Sequence, residues 1–156
     1  MKPLMNIERL GVIEDGLVKA VMEQLCPRYT PAGEVLYIGD TKEKFSFCDK
    51  ERMGELGCVV EEHGKMPDVI VFYPEKEWLI LVESVTSHGP VDAKRHEELA
   101  DLFSSVEPGI VYVTAFPDRN LMAKYLSVIS WETEVWVADA PDHLIHFNGE
   151  RLLEPY

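Results

Sequence analysis

Two short apolar runs separated by four polar residues constrain this chain more than any other stretch. Val69–Tyr73 (VIVFY) and Trp78–Val82 (WLILV) are short and rich in β-branched and aromatic residues, which reads as a pair of strands. Pro74-Glu75-Lys76-Glu77 between them reads as a polar hairpin connection. Pro67-Asp68 opens the first run and Glu83 closes the second. Antiparallel pairing through that turn would bring Asp68 and Glu83 side by side at one end of the hairpin. Two carboxylates on adjacent strands suit a hard divalent cation. Without one they repel each other, and one of them tends to protonate.

The remaining chain supplies a sheet for these strands and helices to cover it. Asn6 to Leu25 carries apolar residues at helical spacing, including Ile7, Leu10, Ile13, Leu17, Val18, Val21 and Leu25. Cys26-Pro27 is expected to end that helix, because proline disfavours helical geometry in the residue before it. Tyr29–Gly33 reads as a loop and Glu34–Gly39 as a strand. A short helix is expected around Cys48–Leu56 and a strand at Cys58–Glu61. Thr86–Pro90 is a loop of small residues, and Val91–Ser105 is a helix announced by Pro90 and by Asp92 in its first turn. Ile110–Ala115 is nearly uninterrupted in its apolar character, as a central strand would be. Asp118–Ile129 is amphipathic, and Glu134–Ala138 and His143–Phe147 are expected strands. Strands that cluster and then alternate with helices predict an α/β fold with a mixed central β-sheet flanked by helices. We divide the chain into an N-terminal helical segment, residues 1–32, and a larger unit, residues 33–156, packed together as one globular body.

Composition narrows the function classes. With 156 residues the chain can bury the core of one ordinary domain. No apolar run approaches the roughly 20 residues that span a bilayer, and MKPLMNIERLG lacks the apolar core of a secretory signal. A cytoplasmic protein without membrane contact is therefore expected. Cys26, Cys48 and Cys58 show no CxxC spacing, which argues against a cysteine zinc site or a disulfide framework. The net charge of −13 opposes tight independent grip on nucleic acid, since phosphate contacts dominate such affinity. His143 and His146 lie three apart on an expected strand and face opposite sides, so a shared metal is not expected. Trp131, Trp136 and Tyr112 read as core or interface packing.

An acid opening one strand and an acid closing the next, about fifteen residues on, resembles the PD-(D/E)xK nuclease superfamily. Pro67-Asp68 supplies the PD, and Glu83-Ser84-Val85 stands in the (D/E)xK place. Four further blocks resemble the catalytic domain of BsuBI/PstI-type restriction endonucleases: Gly33–Lys44 (GEVLYIGDTKEK), Glu83–Leu99 (ESVTSHGPVDAKRHEEL), Val111–Arg119 (VYVTAFPDR) and Trp131–Gly149 (WETEVWVADAPDHLIHFNG). The resemblance implies a restriction-endonuclease-like core from Gly33 onward. It also implies Mg²⁺-dependent cleavage of double-stranded DNA, with the palindromic hexamer CTGCAG as the family's target. By analogy with the superfamily, Asp68, Glu83 and the Ser84 carbonyl would hold the ion. Asp40 is a candidate third acid, set against an ordinary role in the Gly39-Asp40-Thr41 turn.

The departure from the pattern is Val85, where the superfamily has lysine. Lys94, on the following helix, is the first candidate to replace it and Arg95 the second, against a reading of both as solvated surface charges. Lys42 and Lys44 are further candidates. The Ser84–Pro90 loop, with Ser87, His88 and then Arg95, offers candidate contacts to a DNA phosphate near a helix N-terminus. A palindromic target implies a homodimer. The acidic balance and the little sequence before Gly33 also admit a separate DNA-recognition subunit. A competing reading is an interaction protein that kept the fold without the chemistry. Val85 favours it, and the retained Asp68 and Glu83 count against it. A nuclease acting on RNA or structured DNA is a third reading.

Overall fold

A computed structural model describes residues 13, 16–39, 47–59, 66–86 and 89–147. Seven strands form one sheet in the order β2-β1-β3-β4-β5-β6-β7. They are β1 (Glu34–Ile38), β2 (Phe47–Cys48), β3 (Val69–Tyr73), β4 (Trp78–Ser84), β5 (Gly109–Phe116), β6 (Thr133–Val137) and β7 (Leu144–Phe147). The sheet is mixed: β4, β5 and β6 run parallel, and every other neighbouring pair is antiparallel. The expected α/β architecture is therefore present. The β3–β4 hairpin is present too, with Tyr73 paired to Trp78 and Val69 to Val82. Its four-residue turn is closed by the Glu77 amide, which donates to the Pro74 carbonyl at 3.2 Å.

Both faces of the sheet are covered, which explains why β3 and the Trp78–Val82 part of β4 are apolar throughout. On one face lie α1 (Gly16–Ala20), a π-helical turn (Val21–Leu25) and α2 (Cys26–Tyr29). Their Leu17, Val18, Val21, Met22 and Leu25 pack with Ile38, Val69, Val71, Ile80 and Val82 of the sheet. On the other face α3 (Lys50–Glu55) and α4 (Ala93–Leu102) place Met53, Leu99 and Phe103 against Leu36, Ile70, Leu79 and Leu81. A third cluster, Val85, Phe116, Ile129, Val135 and Val137, takes Leu121, Met122 and Tyr125 from α5 (Arg119–Tyr125). Phe116, Val135 and Val137 alternate with Ala115 and Trp136, which belong to the first face, so this cluster lies on the α4 side.

Several expectations are corrected. Cys26-Pro27 does not end the first helix, which continues to Tyr29. The Cys26 amide donates to the Val21 carbonyl five residues back. That widened turn accommodates a proline ring and its missing donor. Cys48 belongs to β2, an edge strand not foreseen, and the next helix starts only at Lys50. Cys58 and Val59 form no strand, while the rest of that expected strand lies outside the described residues. Helix α4 starts at Ala93 and stops at Leu102, shorter than Val91–Ser105, and α5 stops at Tyr125. Of the tryptophans read as core or interface packing, Trp136 lies in the core, while Trp131 is 67% exposed with its ring tilted against Phe147. His146 pairs with Glu134 across the β6–β7 edge.

Three aspartates set where helices begin. The side chains of Asp49, Asp92 and Asp118 accept from the backbone amides of Arg52, Arg95 and Leu121 at 3.1, 2.8 and 2.8 Å, satisfying donors that a helix start leaves open. Helix α4 is fixed at both ends. The Val91 amide donates to the buried Thr114 hydroxyl of β5 at 3.0 Å. Beyond its other end, the Ser105 hydroxyl donates to the Gly57 carbonyl at 2.8 Å. Gly57 has φ +88°, and a Cβ there would lie 2.5 Å from the Ser105 carbonyl oxygen, so only glycine fits that approach. Between these ties, the fully buried Leu99 seats α4 on the sheet. Leu99→Ala is expected to cost about 2–5 kcal/mol of folding stability. Denaturant unfolding, with a lowered midpoint and unchanged slope, checks this.

Candidate active site

Asp68 and Glu83 each lie one residue beyond the Val69–Val82 pair, so both stand at the same end of the hairpin. Ile70 and Phe72 of β3, and Leu79 and Leu81 of β4, face α4. The two-residue period of a strand therefore turns Asp68 and Glu83 to that side as well. Strand β4 extends past its partner to Ser84, and the Asp68 carboxylate takes over at the ladder's end. Asp68 Oδ2 accepts from the Ser84 amide at 2.7 Å and from the Ser84 hydroxyl at 3.0 Å. Such charge-assisted bonds fix the carboxylate's orientation.

Glu83 is a carboxylate held in the interior, 7% exposed. Its Oε1 accepts from Arg95 Nε at 2.9 Å and Arg95 Nη2 at 2.6 Å. Arg95 Nη1 lies 3.4 Å from Glu98 Oε2. Burial pushes the Glu83 carboxyl up to about 7; the nearby Asp68 carboxylate adds to that, and Arg95 works against it. A cavity of about 480 Å³ opens at these residues, lined among others by Asp68, Glu83, Asp92, Lys94, Arg95 and Glu98.

Helix phase decides which cation reaches the acids. Arg95 shares a helix face with Leu99, four residues on, and so is carried toward the sheet; its side chain is 15% exposed. Lys94 is turned about 100° away around the helix. Its side chain is 83% exposed, and Nζ sits 4.0 Å from Glu98 Oε1. Lys94 therefore lines the cavity rim, and the contact with Glu83 belongs to Arg95. Val85 is buried with Phe116 and Val137, a dry surrounding with no place for an ammonium. Asp40, Lys42, Lys44, Ser87 and His88 lie outside the described residues. Glu98 was not foreseen, although its spacing of three from Arg95 and four from Lys94 on a helix is the signal for such pairing. Thr114, which ties down the start of α4, was missed too; a lone hydroxyl in an apolar strand is a weak signal.

Among the described residues no group of three or more His, Cys, Asp or Glu is arranged to hold a metal ion. Two adjacent carboxylates suit Mg²⁺ nonetheless, because that ion keeps several waters and needs only one or two carboxylates from protein. The incompletely compensated Glu83 beside Asp68 is a donor set of the hard-oxygen kind that such an ion fits.

The model of the BsuBI/PstI restriction endonuclease domain matches residues 12–150. The type II restriction enzyme BsuBI of Bacillus subtilis is 65% identical over 140 residues, which is 90% of this chain and 44% of that protein. The type II restriction enzyme AplI of Arthrospira platensis is 31% identical over 144 residues, 88% of this chain and again 44% of the relative. The solved structure of SdaI restriction endonuclease superposes with a TM-score of 0.84 at 45% identity, covering 90% of this chain and 44% of that one. The chain thus spans less than half the length of these relatives.

Two outcomes follow from the site's electrostatics. The folded protein keeps the Glu83 proton to a higher pH than the unfolded chain, so the associated stability is full below about 4.5 and is lost as pH rises through about 7. Without divalent metal, the wild type is expected to lose on the order of 3 kcal/mol between pH 4.5 and 8 relative to Glu83→Gln. Equal pH profiles for the two proteins in denaturant unfolding would contradict it. Val85→Lys is expected to lower stability by roughly 2–4 kcal/mol, since it puts an unpaired cation into an apolar cluster; a thermal melt reads this directly.

Proposed function

The chain belongs to the BsuBI/PstI restriction endonuclease family, and on that premise we propose that it carries the catalytic centre of a Mg²⁺-dependent type II endonuclease that hydrolyses double-stranded DNA. The observation that carries the reading is the placement of Asp68 and Glu83 at one end of a hairpin, on one face of the sheet, lining one cavity. Asp68 and Glu83 would hold the ion, together with the Ser84 carbonyl, and Asp40 is proposed as a third acid. When bound, Mg²⁺ would polarise the scissile phosphate and lower the pKa of a bound water. The Ser84 amide and hydroxyl keep Asp68 oriented for that task. Lys94, long and solvated on the rim, is proposed to reach the phosphate and offset charge in the transition state. Ser87 and His88 are proposed as further phosphate contacts.

A homodimer would present two such centres to the two strands of a palindrome. The net charge of −13 favours target recognition by other polypeptide, including a separate subunit, because a DNA-binding surface is ordinarily basic. We place the protein in the cytoplasm. Among the described residues no helix is long and apolar enough to cross a membrane. The competing reading, a fold retained for protein interaction, draws on the apolar setting of Val85.

Plasmid cleavage separates the two. With Mg²⁺ the wild type is expected to cut DNA, and a chelator to stop it. Asp68→Ala and Glu83→Ala are each expected to remove cleavage. Lys94→Ala is expected to slow turnover by about 10²–10³ with Mg²⁺ affinity nearly unchanged in calorimetry. Cleavage that survives both acid substitutions, or a wild type that neither cuts nor binds Mg²⁺, would refute the nuclease assignment.

A further inference from the structure

We propose that Arg95 is the positioning residue of this centre: it holds Glu83 by a single oxygen, so that the other oxygen is presented to a cation beside Asp68. The proposal rests on the nuclease reading for its consequence in catalysis, and on the geometry alone for its effect on the carboxylate. Both Arg95 donors, Nε and Nη2, converge on Glu83 Oε1. An ordinary side-on pair would spread them over both oxygens. Among the described residues no buried side-chain oxygen lacks a hydrogen-bond partner, and Glu83 lines the cavity. Oε2 is therefore the oxygen open to the cavity that Asp68 also lines.

The guanidinium is itself held in place. Its Nη1 lies against Glu98 on the next turn. Its own backbone amide caps onto Asp92. Helix α4, which carries it, is seated by Leu99 and tied to β5 through Val91 and Thr114. Few rotamers are open to a side chain fixed at both ends, so the carboxylate inherits that order. Two residues after Glu83 stands the apolar Val85, and among the described residues the cation paired with Glu83 comes from a helix. Arg95 does not touch substrate in this scheme; it acts through Glu83.

The opposite role is a counter-ion that fills the site and must leave before a metal can enter. The two roles predict opposite signs. Mg²⁺ binding is measured by calorimetry on the wild type, Arg95→Ala, Arg95→Lys, Glu83→Gln and the Arg95→Ala/Glu83→Gln double variant, each checked by circular dichroism and thermal melting. Arg95→Ala is expected to bind Mg²⁺ about tenfold more weakly, although a positive charge has been removed. In the Glu83→Gln background the same change is expected to have no further effect. Arg95→Lys is expected to restore the melting temperature but only part of the affinity, since an ammonium lacks the rigid pair of donors. In cleavage assays at saturating Mg²⁺, Arg95→Ala is expected to lower kcat about 100-fold with KM for DNA unchanged. Tighter Mg²⁺ binding by Arg95→Ala would overturn the proposal in favour of the counter-ion. A rise in KM for DNA, or a loss that persists in the Glu83→Gln background, would overturn it in favour of direct contact with DNA. If Mg²⁺ binding follows the expected pattern but the wild type cuts no DNA, the nuclease reading fails and the positioning role stands. If the wild type binds no Mg²⁺, both fail.

Discussion

A slip of one residue between β3 and β4 would turn one of the two acids away from the other, because side chains alternate faces along a strand. The shared placement of the two acids depends on that slip not occurring. The register is held by three separate means. The four-residue turn fixes the pairing of Tyr73 with Trp78 at one end. Both strands are buried on both faces, so no shift can move apolar side chains to water without loss. At the far end Asp68 grips the Ser84 amide and hydroxyl, so the acid that would bind a cation also closes the ladder. A carboxylate with two such donors is already directed before any ligand arrives, which lowers the cost of assembling a metal site.

The two acids are unlike in environment, and the difference suits a division of labour. Asp68 is half-buried and fixed by a strand end, while Glu83 lies deep and depends on a helix for its compensating charge. Burial alone would favour a neutral Glu83; the guanidinium offsets part of that cost, and a bound dication would offset more. The same balance makes Glu83 the point at which pH, metal and helix α4 are linked. A protein carrying −13 overall has little attraction for a polyanion. A dication held at the acid pair would lessen the local repulsion toward any phosphate brought there.

Much of this was legible in the sequence because it depends on strand alternation, which has a strict period. The positions of Asp68 and Glu83 on one hairpin end follow from VIVFY, WLILV and the PEKE turn without any knowledge of the rest. The edge strand Phe47–Cys48 was not legible, since two residues carry no period. The continuation of the first helix past Pro27 was hidden for another reason. Proline's usual effect is to end a helix, and only a widened turn before it, held by long-range packing of Val21, Met22 and Leu25, lets the helix run on. Trp131 misleads because composition alone assigns a large aromatic to packing, while its place just before Glu132, whose φ of +63° turns the chain into β6, leaves it on the surface.

The identity of the cation at the acid pair is the deepest of these cases. Lys94 and Arg95 are neighbours in sequence and offer similar charge, so no pattern of residue types separates them. Their separation is rotational: one helical step of about 100° divides the rim from the interior. That phase is set by features remote from the acids, namely the Asp92 cap, the Thr114 tie and the burial of Leu99. A helix one residue out of phase would present Lys94 to Glu83 and expose Arg95, with the same sequence and the same strands. Which cation meets Glu83 is thus determined by how α4 packs, and that packing gives the two residues different surroundings: a guanidinium held against the carboxylate, and an exposed ammonium at the cavity rim.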